Sequence, residues 1–131
     1  MIYEFIRDGL QSTTTLLGKV FPVSVNIDEV DGSFAVYTFR GSTPVKDLMN
    51  EDHHYTDTVD VDFLGYLYDE LHDLYRHALK HLTVSNLDTG HGEYIFSSVC
   101  STEEPEQFDP DTGLFRKPMR VTIDWCLMEE E

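Results

Sequence analysis

The strongest constraint on the fold is the stretch from Pro105 to Trp125, PEQFDPDTGLFRKPMRVTIDW, in which turn chemistry hands over directly to strand chemistry. Asp109-Pro110-Asp111-Thr112-Gly113 joins a proline that presets φ, aspartates whose side chains can cap nearby backbone N–H groups, and a glycine that accepts positive φ without steric cost. From Phe115 onward Met119, Val121, Ile123, Trp125 and Leu127 fall on one parity, with Arg116, Arg120, Thr122 and Asp124 on the other. Period-2 alternation of this kind is the pattern of a strand with one buried face. A polar hairpin tip therefore feeds a long, half-buried strand.

The rest of the chain supplies partners for that strand. Ile2, Phe5, Ile6 and Leu10 recur at three- and four-residue spacing, which predicts a short amphipathic helix ending around residues 9–11. Leu16, Leu17 and Gly18 predict a further turn. Lys19-Val20-Phe21-Pro22 reads as extended, with Pro22 barring a central position in a sheet. Residues 23–30 read as extended or loop, and Asp31-Gly32-Ser33 as a turn before a strand over residues 34–40. Gly41-Ser42-Thr43-Pro44 is expected to break that strand, leaving 42–55 as a long loop whose mostly polar stretch between Pro44 and His54, with Leu48 and Met49 an isolated apolar pair, reads as a flexible excursion or a short helical turn.

Strand character returns near Tyr55 and is clear at Val59, Val61 and Phe63. Asp60 and Asp62 fall on the wet parity, and Asp57, against that rule, on the apolar one. Gly65 turns the chain into a helix expected from Tyr66 to His81. Its Leu67, Leu71, Leu74, Tyr75, Ala78 and Leu82 share one face, opposite Asp69, Asp73, Arg76 and Lys80. Residues 85–92 read as a loop, and residues 94–99 begin the next strand. This order implies one α+β domain over residues 1–131, an antiparallel or mixed sheet of four to five strands with helices packed on one face.

A chain of 131 residues can bury a core without metal or disulfide staples. Its 25 acids against 9 bases give a net charge of −16, a surface that repels phosphates and anionic membranes. Neither sequence-specific nucleic acid nor a membrane is expected as a partner. Acids interrupt the apolar run in Met1-Ile2-Tyr3-Glu4-Phe5-Ile6-Arg7-Asp8, so no signal peptide is expected. Cys100 and Cys126 lie in expected strands without ligand spacing, which predicts reduced thiols.

Histidines invite a metal reading. His77 and His81 stand four apart with Asp73 one turn earlier, and on that trio rests an alternative function, a small metal-binding or metal-dependent enzyme domain centred on the 66–81 helix. Against it, Ala78 occupies the position where HExxH requires its glutamate, and a plain HxxxH on an amphipathic helix is ordinarily a solvated edge. His53-His54 beside Asp52 reads as a hydrated cluster or a weak adventitious metal site. No GxSxG, P-loop or GxGxxG occurs, and Asp60/Asp62 read as solvated carboxylates. The expectation is a non-enzyme with no catalytic, cofactor or metal residues. Arg116, Lys117 and Arg120 form a local positive patch, which either meets the acidic face of a neighbouring copy or balances Glu103, Glu104, Glu106 and Asp124 of its own hairpin.

The run Phe108-Asp109-Pro110-Asp111-Thr112-Gly113-Leu114-Phe115-Arg116-Lys117, followed by an alternating strand, resembles the closing motif of the tail completion (tail terminator-like) proteins of long-tailed phages and prophages. The likeness takes in the N-terminal helix, the Leu-Leu-Gly-Lys-Val-Phe-Pro segment at 16–22, the aromatic strand near 34–40 and the strand–helix unit at 59–82. It implies the same kind of α+β fold and a non-enzymatic, cofactor-free part in virion assembly. By resemblance to tail terminators, that part is a ring, a hexamer, that caps the tail tube and faces the head connector. The expected partners are further copies of the chain, the tail tube protein and the head–tail connector protein. The expected locations are the host cytoplasm during assembly and then the virion tail. Phe108, Asp109, Asp111, Arg116 and Lys117 are the expected contact residues, with the 42–55 loop beside them. Some of the acid would line a channel through which DNA slides.

Overall fold

The backbone N–H and C=O groups of a half-buried strand need partner strands on both edges, and the described residues supply them in one mixed sheet of seven strands. The computed structural model describes residues 3–10, 20–22, 32–45, 54–90, 92–102 and 105–127. Its strands are β1 (Val20–Pro22), β2 (Phe34–Val45), β3 (His54–Gly65), β4 (Val84–Asp88), β5 (Glu93–Ser101), β6 (Gln107–Asp109) and β7 (Leu114–Leu127). Two helices accompany them, α1 (Tyr3–Leu10) and α2 (Tyr68–Leu82). The order across the sheet is β1-β2-β3-β7-β5-β4, with β6 paired to β7; β1 lies parallel to β2 and every other pairing is antiparallel.

The last strand sits in the middle of the sheet. On one side β7 pairs with β3 from His54↔Cys126 to Gly65↔Phe115. Its other side is shared, β5 covering residues 120–127 and β6 covering 114–116. The gap between the two holds Pro118, a residue that cannot complete a ladder. Register sorts the side chains as the alternation requires. Val59, Val61 and Phe63 of β3 and Met119, Val121, Ile123 and Trp125 of β7 are buried together, and Leu71, Leu74, Ala78 and Leu82 of α2 complete that core. From α1, Ile6 and Leu10 join it. Trp125 stacks on Tyr55 with ring centroids 5.0 Å apart, and Phe63 meets Tyr75 edge-on at 6.2 Å.

The α+β class and the packing of helices on the sheet are as the sequence implies. The strand count is corrected from four or five to seven, because the three- and five-residue strands β1, β4 and β6 are too short to carry a periodic signal. Gly41-Ser42-Thr43-Pro44 does not break β2. A register shift between Phe39 and Gly41 absorbs the glycine, and pairing with β3 carries the strand on to Val45. Likewise 84–88 is strand β4 on β5 and not loop; Asn86, at φ 54, marks its irregular point. The helix starts at Tyr68, where Asp69 and Glu70 complement the positive end of its dipole, and Tyr66 and Leu67 stay outside it. The expectations for 11–19, 23–31 and 46–53, including Leu16, Leu17, Leu48, Met49, Asp52 and His53, lie outside the described residues, as do Glu103 and Glu104.

Candidate interaction surface

Where β3 runs into α2, the β6–β7 hairpin projects beside the helix start. Gly113 N–H donates to the Asp109 carbonyl at 2.8 Å, Asp111 N–H to Asp109 Oδ1 at 3.0 Å and Leu114 N–H to Thr112 Oγ1 at 3.3 Å. Gly113 takes φ 77, which explains the glycine in the tip. Phe108 packs on Phe115 with centroids 4.7 Å apart, and Tyr68 meets Phe115 edge-on at 5.7 Å. Yet Phe108 remains 53% exposed, Tyr66 50% and Leu67 64%, three large apolar side chains left to solvent. Beside it a cavity of about 420 Å³ opens between Leu64, Leu114, Phe108, Asp109 and Arg116.

Five residues were expected to make contacts here. Phe108, Asp109 and Asp111 do present themselves at the exposed tip. Arg116 and Lys117 are committed within the molecule. Arg116 donates through Nε and Nη2 to Asp62 Oδ1, both at 2.9 Å, and through Nη1 to Gln107 at 3.2 Å. Lys117 points to the other face, as period 2 demands of its neighbour. It is buried over the Tyr75 ring, 4.6 Å from the centroid, and its Nζ donates to Glu106 at 2.5 Å. The three bases therefore form no single patch. Glu106 accepts from Lys117 and from the Tyr68 hydroxyl, which holds its carboxyl below the usual range; the same hydrogen bond to Glu106, then burial, pushes the Tyr68 hydroxyl up.

On the polar face of the sheet the expectation of simply solvated Asp60 and Asp62 is corrected. Arg120 donates to Asp60 at 3.0 Å, Arg40 lies 3.3 Å from the same carboxylate, and Thr56 and Ser97 donate to Asp124 at 2.6 and 3.3 Å. Asp60 and Arg120 face each other in register, so strand order brings the charges together.

A second concavity runs along α2 and β5. Arg76, His77, Leu79, Lys80, Val99 and Cys100 line a groove of about 810 Å³. Thr83 Oγ1 donates to Cys100 Sγ at 3.7 Å, and burial pushes the Cys100 thiol up. Cys126 faces Tyr94, five positions along β7 from Val121, the residue opposite Cys100, and both cysteines are free. The trio behind the metal reading does not converge. His77 and His81 rings lie 4.6 Å apart, but among the described residues no three His, Cys, Asp or Glu side chains gather to hold an ion. Of the bases described, Arg7, Arg40, Arg116, Lys117 and Arg120 are ion-paired, whereas Arg76 and Lys80 make no ion pair among the described residues. The helical periodicity puts both on the solvent side of the helix; the groove is invisible in it, because Val99 and Cys100 come from a strand that only the fold brings alongside. Leu67, expected on the buried face, is exposed with Tyr66 because the helix begins after them, and the acids at 69 and 70 are the sequence signal of that start.

No protein-family model matches the chain, and no curated protein sequence matches it. Solved structures do match, one of them a chain from the virion of a native gene transfer agent particle, with a TM-score of 0.65 at 8% sequence identity over 92% of this chain and 91% of that one. The chain thus has the fold of that virion protein across nearly the whole length of both.

Proposed function

We propose that this chain is a non-enzymatic structural protein of a phage-like particle, completing or capping the tail tube and joining it to the head connector as a ring of identical copies. The observation that carries the reading is the fold shared, nearly end to end, with a chain of a gene transfer agent virion. The hairpin run from Phe108 to Lys117, with its resemblance to tail completion proteins, supports the finer assignment. Phe108, Asp109 and Asp111 at the tip are the proposed contacts, and Arg116 and Lys117 hold the tip in place through Asp62 and Glu106. Deleting the gene in cells that produce the particle tests this. Electron microscopy is expected to find heads and tails unjoined or tails of irregular length, and mass spectrometry of intact particles to find the chain at a few copies each. Normal particles from the deletion strain, or particles that lack the chain, would refute the assignment.

A further inference from the structure

Arg76 and Lys80, which make no ion pair among the described residues, and the exposed hairpin tip line different concavities of the molecule, and their chemistries are complementary. The tip offers an exposed aromatic, Phe108, and the carboxylates of Asp109 and Asp111, neither of which meets a base among the described residues. The α2–β5 groove offers apolar surface from Leu79 and Cys100 and a rim on which Arg76 and Lys80 outnumber one acid, Asp73. The groove's volume of about 810 Å³ falls within the roughly 300–1,000 Å³ of clefts that enclose a small molecule, room enough for an aromatic side chain and the turn beside it.

We infer that the groove between α2 and β5 receives the Phe108–Asp111 tip of a second copy of this chain, Phe108 entering beside Leu79 and Cys100 while Asp111 meets Arg76 and Lys80. Charge selects the occupant. In a chain with a net charge of −16, a docking surface where two bases without an ion pair among the described residues outnumber one acid is the place where an acidic neighbour is attracted instead of repelled. Tip and groove are different patches, so the contact is head-to-tail, and repetition gives a ring where the rotation closes and a filament where it does not. The inference rests on the ring reading proposed above and assigns the two surfaces through which that ring forms.

Light scattering of the purified chain at 0.3–0.5 M salt, roughly where the screening length falls below 8 Å, tests it. The wild type is expected to form oligomers. Arg76→Glu with Lys80→Glu, and separately Asp111→Lys, should each weaken association about ten-fold or more; Phe108→Ser should do the same. Asp109 is left unchanged because its side chain and carbonyl close the turn. An equimolar mixture of the groove variant and Asp111→Lys should regain oligomers, since each variant then meets a partner of opposite charge at both surfaces. Unfolding midpoints equal to wild type establish that the variants are folded. Wild-type oligomers that persist in the charge variants, no recovery on mixing folded variants, or a wild type that stays monomeric at every salt would each overturn the inference. The deletion experiment on particles reads the virion assignment separately.

Discussion

Trp125 is the side chain on which the half-buried strand most depends. It is buried on the helix-facing side of β7, stacked on Tyr55 and opposite Ile95, so its removal leaves a cavity in the middle of a sheet flanked on both sides. Trp125→Ala is expected to cost about 3–5 kcal/mol, read as a lowered urea midpoint at unchanged slope; an unchanged midpoint would show that the ring carries no core packing. Gly65 is constrained in the opposite sense. A Cβ there would stand 2.5 Å from Ser33 Oγ and 3.2 Å from Leu71 Cδ2, in a spot where Ser33 Oγ donates to Glu70. Gly65→Ala should therefore destabilise by about 1–3 kcal/mol, measured the same way, by pushing β2 and α2 away from the end of β3.

At the level of elements, the hairpin is fastened to the rest by charge-assisted hydrogen bonds as well as packing. Glu106 precedes β6, Lys117 lies in β7, and Tyr68 opens α2, so one carboxylate ties three elements together. Its folded-state pKa is depressed, first by Lys117 and then by Tyr68, so its contribution is present above the unfolded carboxylate pKa and disappears as pH falls through the lower folded value. The difference in unfolding midpoint between wild type and Glu106→Gln is expected at pH 7 and should vanish once pH drops well below 4, the ordinary range of a glutamate being about 4.3. A difference that stays constant across that range would mean that the carboxylate's charge does not fasten the hairpin. Because the Glu106 side chain is more than a third exposed, the effect is modest.

For the whole molecule, a net charge of −16 sets the terms of association. The sheet's own bases are largely used up on its polar face, where Arg40, Arg116 and Arg120 neutralise Asp60 and Asp62, so little positive surface remains to offset repulsion between copies. Screening over about 8–10 Å relieves long-range repulsion more than it weakens a contact pair closed against solvent. Monomers are expected at low ionic strength, with closed oligomers at higher ionic strength or in the presence of tail tubes. A light-scattering series in sodium chloride reads this directly, and oligomers that dissolve as salt is raised would contradict it.

What the sequence by itself determined was everything carried by local periodicity. The parity of Met119, Val121, Ile123 and Trp125 names the buried face of β7, the 3.6-residue stripe from Leu71 to Leu82 names the buried face of α2, and Asp109–Gly113 names the turn. These are properties of neighbours along the chain. Tertiary structure alone decided what each face meets. Arg116 and Asp62 are 54 residues apart, and Arg120 and Asp60 are 60 apart; they pair because β7 lies next to β3, an order that no local pattern encodes. Lys117 reads as part of a basic run until alternation turns it inward onto Glu106 and Tyr75. Residues 84–88 and 41–45 have loop composition, and they are strands because a neighbour's ladder supplies hydrogen bonds that intrinsic preference does not. The groove of Arg76, Lys80 and Cys100 likewise exists only once a helix and a strand from separate stretches are laid side by side, since a concave surface is a relation between elements.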